Sequence, residues 1–363
     1  MAASRILVVT TLATLCPGGF GLSAYAAEPI IFKDKVITVL VGTTTGGSTD
    51  LFARMAANFL SKHLPGSPRV IVQNRPGGGG ITATNFFAQQ AELDGLTILV
   101  GSTAQIDPMK YRVPQAKYDP TKFAMIGGIE IGGQVLIVRN EALPRLSDRK
   151  AEPVTMGSMG GFPHTGMLMT AWGIEYLGWN ARWVSGYRGT PDLMLALQRG
   201  EFDTTTVVWT FLDPSLLDKK AYTILYQTGS KGGTTPSILP ALQGIPLFSE
   251  VMKGKISDPV GENAFDYWRS ISATVKWAAL PPNTPEQYVA AYREAFRATM
   301  KDSEFLAQCR KVSEDFTVIS PEDLTEKVQL LAKVPHDALT FLNGKLQKQG
   351  LNLVETTRGP REE

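Results

Sequence analysis

Val36-Ile37-Thr38-Val39-Leu40-Val41-Gly42-Thr43-Thr44-Thr45-Gly46-Gly47-Ser48-Thr49-Asp50 is the stretch that decides the fold. Its first part is a short run of apolar and β-branched residues, the length of a buried strand. A turn rich in glycine and hydroxyls follows. Beyond the turn Leu51, Phe52, Met55, Ala56, Phe59 and Leu60 recur at helical spacing. Ser48, Thr49 or Asp50 is suited to cap that helix. A strand that passes through such a turn into a helix aims unpaired N–H groups and a positive dipole end at one point. Anions bind there without a charged side chain. The same pattern also serves as an ordinary strand-to-helix connection.

The chemistry of the turn narrows the anion. A phosphate-cradling loop needs Gly-Lys-Ser/Thr at the helix start. Gly46-Gly47-Ser48 carries no lysine, which disfavours a nucleoside triphosphate. A carboxylate is satisfied by a few N–H and hydroxyl donors. Thr43, Thr44, Thr45, Ser48 and Thr49 supply the hydroxyls, and no lysine or arginine stands in the turn.

Outward from this unit, strands and helices alternate. Strands are expected over 69–73, 96–100, 134–139, 154–156, 181–184, 202–208 and 223–226. Helices are expected over 81–90, from the 157–163 turn to 177, and over 191–199, 285–300, 303–312 and 321–342. This βα alternation implies α/β architecture with mainly parallel sheets covered by helices. Glycine turns fall at the carboxyl ends of strands in both the first and the middle third. Open α/β sheets bind ligands at those ends. The expectation is two sheets facing each other across a cleft.

The beginning of the chain reads as an export signal. Met1 to Arg5 is short with one positive charge, Ile6 to Leu15 is apolar, and Ala24-Tyr25-Ala26 is a small-x-small site. Residues 1–26 are therefore expected to be removed before Ala27. Cys16 raises a lipoprotein alternative, against which Leu15 stands where a small residue is required. Cys309 is then the lone cysteine, and no internal disulfide forms. The 363 residues carry 36 basic and 34 acidic side chains, interspersed, for a net charge of +2. No basic stripe with aromatic interleaving marks a nucleic-acid surface. No later apolar run is long enough for a membrane span.

Three motifs in order then carry a family resemblance. They are Gly46-Gly47-Ser48-Thr49-Asp50 after the first strand, Asn74-Arg75-Pro76-Gly77-Gly78-Gly79-Gly80 after the second, and Asp94-Gly95-Leu96-Thr97-Ile98-Leu99 leading to Gly101-Ser102. Tyr187-Arg188-Gly189 with Gly200-Glu201-Phe202-Asp203, and Ala279-Leu280-Pro281-Pro282-Asn283-Thr284-Pro285, extend the likeness over nearly the whole chain. Together they resemble the tripartite tricarboxylate transporter receptors, the extracytoplasmic solute-binding proteins also called Bug proteins. The chain departs from that pattern in three places. Thr43-Thr44-Thr45 replaces an aromatic and prolines, Gln73 replaces a glutamate, and the loop from Gly157 to His164 is about two residues short.

The resemblance implies a two-lobed, type II periplasmic-binding-protein-like fold with the ligand between the lobes. Residues 27–132 and 227–363 would form lobe 1, and residues 133–226 lobe 2. Lobe 1 would hold a carboxylate through Thr45, Gly46, Gly47, Ser48, Thr49, Thr103 and Ala104. Asp50 is a further candidate, read chiefly as a brace of the turn, because an exposed carboxylate repels an anion. Lobe 2 would contribute Ser158, Gly160, Gly161, His164, Tyr187, Arg188 and Gly189, with Asp203 and Thr206 nearby. Asn74-Arg75-Pro76 reads as scaffold for its glycines. His164 is equally a helix cap or a cleft residue, and Arg188 is either internally paired or a bidentate carboxylate partner. Trp172, Trp179, Trp183 and Trp209 read as packing, with Tyr187 or Trp209 also suited to stack on a flat ligand.

The implied function is a monomeric periplasmic receptor that captures a small organic carboxylate for a tripartite tricarboxylate-type membrane transporter. No cofactor, metal or nucleic acid takes part. One alternative is a receptor feeding a signalling partner. Another is a secreted serine hydrolase using Ser158 and His164, although Met156-Gly157-Ser158-Met159-Gly160 lacks the first glycine of a nucleophile elbow. The three histidines, His63, His164 and His336, suggest no metal cluster. Intact-mass analysis of exported protein tests the localisation. A species beginning at Ala27 in the periplasm is expected, and a full-length cytoplasmic species contradicts it.

Overall fold

The computed structural model describes residues 32–159, 163, 165–187, 190–212, 221–229, 237–273, 275–312, 316–351 and 353. The export segment, Cys16, Gly160, Gly161, His164, Arg188 and Gly189 lie outside the described residues.

The chain builds two sheets in turn. It begins β1 (Val36–Val41), α1 (Ser48–His63), β2 (Arg69–Asn74), α2 (Ile81–Gln90), β3 (Thr97–Ser102) and β4 (Ala124–Glu130). It then crosses over into β5 (Gln134–Arg139), β6 (Val154–Met159), α3 (Leu168–Tyr176), β7 (Ala181–Tyr187), α4 (Thr190–Arg199), β8 (Thr204–Val208) and β9 (Tyr222–Gln227). The return runs through α5 (Pro259–Ile271), β10 (Val275–Leu280), α6 (Glu286–Thr299), α7 (Ser303–Val312), β11 (Thr317–Ile319), α8 (Pro321–Ala332) and α9 (His336–Lys348).

The first sheet has the order β11-β4-β10-β3-β1-β2 and the second β7-β6-β8-β5-β9. The two-lobed α/β reading holds, but the sheets are mixed and not mainly parallel. β1 runs parallel to β2 and β3, and β6 parallel to β7 and β8. β10 is antiparallel to β3 and β4, β11 to β4, and β5 to β8 and β9. Parallel neighbours need a helical crossover, which α1 and α2 supply in the first sheet. β5 and β10 each arrive from the other sheet and insert against the local strand direction.

Side-chain alternation sets the cores. Ile37, Val39 and Val41 bury one face of β1 with Phe52, Ala53, Phe59 and Leu60 of α1 and Tyr292 and Phe296 of α6. Leu40 on the opposite face joins Ala83 and Phe87 of α2. In the second sheet Val135, Ile137 and Met156 pack on Leu193 and Leu197 of α4. The C-terminal third touches both sheets. Trp172 of α3 meets Phe265 of α5 edge-on at 5.2 Å, and Trp183 donates its indole N–H to Gln349 at 3.1 Å. Trp179 stacks on Tyr226 at 5.8 Å. None of the described helices is long and apolar enough to cross a membrane.

Two differences from the expected elements have local causes. The helix expected over 321–342 is broken into α8 and α9 at Lys333-Val334-Pro335, because Pro335 lacks the N–H that helix continuation needs. β4 carries Gly127 and Gly128 and so gives no strand signal. A Cβ at Gly127 would lie 2.3 Å from the Phe296 ring, so only glycine lets α6 close on the sheet there.

The crossovers between sheets lie side by side. Gln134 donates its N–H to the Thr228 hydroxyl at 2.9 Å, and Thr228 donates its N–H to the Gln134 carbonyl at 2.9 Å. A Cβ at Gly133 would come within 2.4 Å of the Gly229 carbonyl oxygen. Gly133→Ala is expected to destabilise the fold by about 1–3 kcal/mol through this overpacking. Urea unfolding tests it, and an unchanged midpoint contradicts the close approach.

Candidate functional site

Three turns meet at the carboxyl ends of β1, β2 and β3. A Cβ at Gly42 would press on the Gly80 Cα at 2.8 Å, and one at Gly80 would overlap the Gln105 amide. Gln105 donates to the Gly79 carbonyl at 2.9 Å and accepts from the Ser102 N–H at 2.8 Å. Gly77, Gly78, Gly79 and Gly80 all have positive φ, which the close packing of these turns uses. Asn74 and the glycine run are thus scaffold, as expected.

Asp50 fastens the first turn. Its buried carboxylate accepts from the Gly46 N–H at 2.8 Å, Arg54 Nε at 3.0 Å and Asn74 Nδ2 at 2.9 Å. Asn74 Nδ2 also donates to the Thr43 carbonyl at 3.0 Å, and the Thr45 hydroxyl donates to Asn74 Oδ1 at 3.3 Å. Burial pushes the Asp50 pKa up, while the bonds from Arg54, the Gly46 amide and Asn74 push it down and prevail. Its charge is used within the protein. The left-handed residue is Gly46, with φ of 83°, whereas Gly47 has an ordinary φ of −72° and precedes the helix.

With Asp50 turned inward, the start of α1 has no side-chain cap. Gly47 donates its N–H to the Thr44 carbonyl at 3.3 Å. Ser48 and Thr49 face a residue that the motif reading missed. Lys276 of β10 is 3% exposed and donates to Ser48 Oγ at 3.1 Å and Thr49 Oγ1 at 3.0 Å. Burial alone pushes its pKa down to about 8. The site is therefore not free of cations, contrary to the reading of the turn by itself. The available signal was a single lysine inside the apolar run Val275-Lys276-Trp277-Ala278-Ala279-Leu280.

The β3 turn reaches the same region, because Lys276 pairs with Ser102 across the sheet. Thr103 is buried and structural. Its hydroxyl donates to the Ala273 carbonyl at 3.1 Å and accepts the Val275 N–H at 3.1 Å. Ala104 is half-buried beside it.

In the second sheet Ser158 and Thr206 lie toward the carboxyl ends of β6 and β8. Ser158 is fully buried and donates to the Met159 carbonyl at 3.0 Å. Thr204 and Thr205 donate to the Ile137 and Gly157 carbonyls, while the buried Thr206 and Thr210 hydroxyls have no partner among the described residues. A Cβ at Gly166 would meet the Thr206 methyl at 2.6 Å and Gln134 Oε1 at 2.2 Å, which places Thr206 beside the crossover. Tyr187 is turned to its own lobe. Its hydroxyl donates to Glu201 at 3.2 Å and its ring packs on Phe202. Asp203 sits at the far end of the strands. It accepts from the Thr155 N–H and hydroxyl at 2.9 Å and pairs with Arg145 at 2.7 Å. Level with Thr155 and not with Ser158, it braces the amino ends of β6 and β8.

A groove of about 760 Å³ runs between α5, β11 and α8. Glu130, Asp266, Asp323, Glu326, Lys327 and Lys333 line it, and none of the candidate residues does. No group of three or more histidine, cysteine or acidic side chains suited to a metal occurs among the described residues.

Asp50→Ala would remove the acceptor of the Gly46 N–H and the Asn74 amide, at about 0.5–1.5 kcal/mol for each part-buried hydrogen bond lost. The folded-state pKa of Asp50 lies below its unfolded value. Its stabilisation is thus present above about pH 4 and lost as pH falls through the folded value. Urea unfolding of both proteins tests this. The difference between them is expected to shrink in acid, and equal stability at pH 7 contradicts the bracing role.

No family model matches the chain. It is 30% identical over 192 residues to a UPF0065 protein of Bordetella pertussis, covering 50% of this chain and 57% of that one. It is 39% identical over 90 residues to Protein BugT of the same organism, covering 24% of this chain and 27% of the relative. The chain thus spans little more than half of the first relative and about a quarter of the second. Among solved structures, periplasmic binding protein BugD superposes with a TM-score of 0.64 at 20% identity, covering 88% of this chain and 98% of that one. A Rhodopseudomonas palustris protein with adipate gives 0.64 at 21% identity, covering 87% and 98%. MatC from the same organism, with bound malate, gives 0.59 at 18%, covering 86% and 98%. The resemblance read from the motifs is borne out, and the fold of this chain is that of BugD and of these two ligand-bound proteins.

Proposed function

We propose that the chain is a periplasmic solute-binding receptor that captures a small organic carboxylate between two lobes and delivers it to a tripartite tricarboxylate-type transporter. The observation that carries this reading is the uncapped start of α1, where Ser48 and Thr49 face the buried Lys276. The adipate and malate in two structural neighbours support the ligand class.

In this reading lobe 1 comprises 27–132 and 227–363, and lobe 2 comprises 133–226. The lobes close about the paired crossovers at Gly133 and Gly229. The first carboxylate docks at Ser48, Thr49 and the Ser102–Ala104 turn. The unpartnered hydroxyls of Thr206 and Thr210 meet the far end of the ligand. The receptor performs no chemistry. Ser158, the one candidate nucleophile, has its hydroxyl engaged by the neighbouring carbonyl.

A ligand that binds only the folded, closed state stabilises it by about 2.7 kcal/mol at a hundred times its dissociation constant. A thermal-shift screen of small carboxylates, sugars and amines is expected to respond to carboxylates alone. Small-angle scattering on the best of them is expected to show a smaller radius of gyration. A response confined to neutral sugars or to amines without a carboxylate contradicts the reading.

A further inference from the structure

Lys276 stands in an unusual electrostatic position. It shares its face of β10 with Ala278 and Leu280, which belong to the apolar core under α1. A buried ammonium is costly unless a counter-charge meets it. Among the described residues Lys276 makes no ion pair. Asp50, the acidic residue in the first turn of α1, is taken by Arg54, Asn74 and the Gly46 N–H. Among the described residues, the acceptors on its ammonium are the hydroxyls of the first two residues of a 16-residue helix. That helix end is itself positive, and it disfavours a cation and attracts an anion. Two positive features therefore converge on one spot, and among the described residues no acidic side chain pairs with Lys276 there.

The hydroxyls decide where the missing anion belongs. Each accepts from the ammonium, so its own hydrogen points elsewhere. Neither Ser48 nor Thr49 donates to another described residue. Lys276 thus polarises both hydroxyls into donors that continue the set of N–H groups at the start of α1. Ser48 is half-buried, whereas Thr49 and Lys276 are buried behind it, so Ser48 is the hydroxyl through which the pair reaches the surface.

We propose that Lys276 is the fixed counter-charge of the bound ligand, acting through Ser48 and Thr49 on one ligand carboxylate and selecting the ionised acid over its amide. This rests on the carboxylate-receptor reading and adds the group that sets its charge selectivity. It also implies a trade. The free protein carries a destabilising buried cation that the ligand relieves, so lysine at this position weakens the empty state and strengthens the bound one.

That trade gives the test an unusual sign. Wild type, Lys276→Met and Lys276→Gln are compared by thermal shift with succinate, malate and adipate, and with succinamide and adipamide. Wild type is expected to respond to at least one acid and to neither diamide. Both variants are expected to melt higher than wild type when empty and to lose at least tenfold in affinity for that acid by calorimetry. An acid response that survives in the variants overturns the assignment of Lys276 while leaving the receptor reading intact. A lower melting temperature of the empty variants, or failure of both to fold, makes the lysine structural and also overturns it. A wild type that responds to no acid removes the receptor reading and this inference together.

Discussion

The candidate site depends on a carboxylate that faces inward. Asp50 in the first turn of α1 is where a helix usually welcomes a negative charge. Here that charge is held by Arg54, Asn74 and the Gly46 amide. The knot ties the β1 turn to the end of β2 and fixes Gly46 in its left-handed conformation. It also turns away the one acidic side chain of the turn, which would repel an anion. What remains at the surface of the turn is a set of N–H groups and hydroxyls with Lys276 behind them. In the proposed reading the helix start is left to an external anion because the protein's own carboxylate is engaged by Arg54, Asn74 and the Gly46 amide.

The packing around this spot fixes its shape. Gly42, Gly80 and Gln105 bring the three turns within contact, and Thr103 pins the β3 turn to the start of β10. Trp277 covers Gly101 and donates its indole N–H to the Ser102 carbonyl at 2.8 Å. β10 is therefore the element that joins the site to the crossover. Gln134 reaches the Ser272 carbonyl just before it at 3.4 Å, and Thr206 lies against Gln134 across Gly166.

Sequence legibility follows the range of the interactions. The β1 turn, the Asn74 scaffold and the helices α1, α2, α4, α6 and α7 carry local signals, namely periodicity and glycines, and are read correctly, whereas the side-chain cap expected at the start of α1 does not form. The bracing role of Asp50 also follows from a local argument about charge. Strand direction is not local. β5 and β10 look like any buried strand, and only the route of the chain between sheets makes them antiparallel. Asp203 illustrates the same limit. Its place beside a strand is evident, but which end of the sheet it occupies depends on register with Thr155. Lys276 is distant in sequence from Ser48, so a motif-centred reading of the turn passes over it. The position of the positive φ, at Gly46 and not Gly47, is set by the Asp50 bond and has no signature in a Gly-Gly pair.

The central claim is that the protein takes a small carboxylate and leaves it unchanged. It is tested most directly by mass spectrometry of small molecules released on denaturing protein purified natively from its own cells. The account predicts a carboxylic acid, released intact and close to one per chain. Release of a neutral sugar or an amine, or a covalent adduct on Ser158, would contradict it.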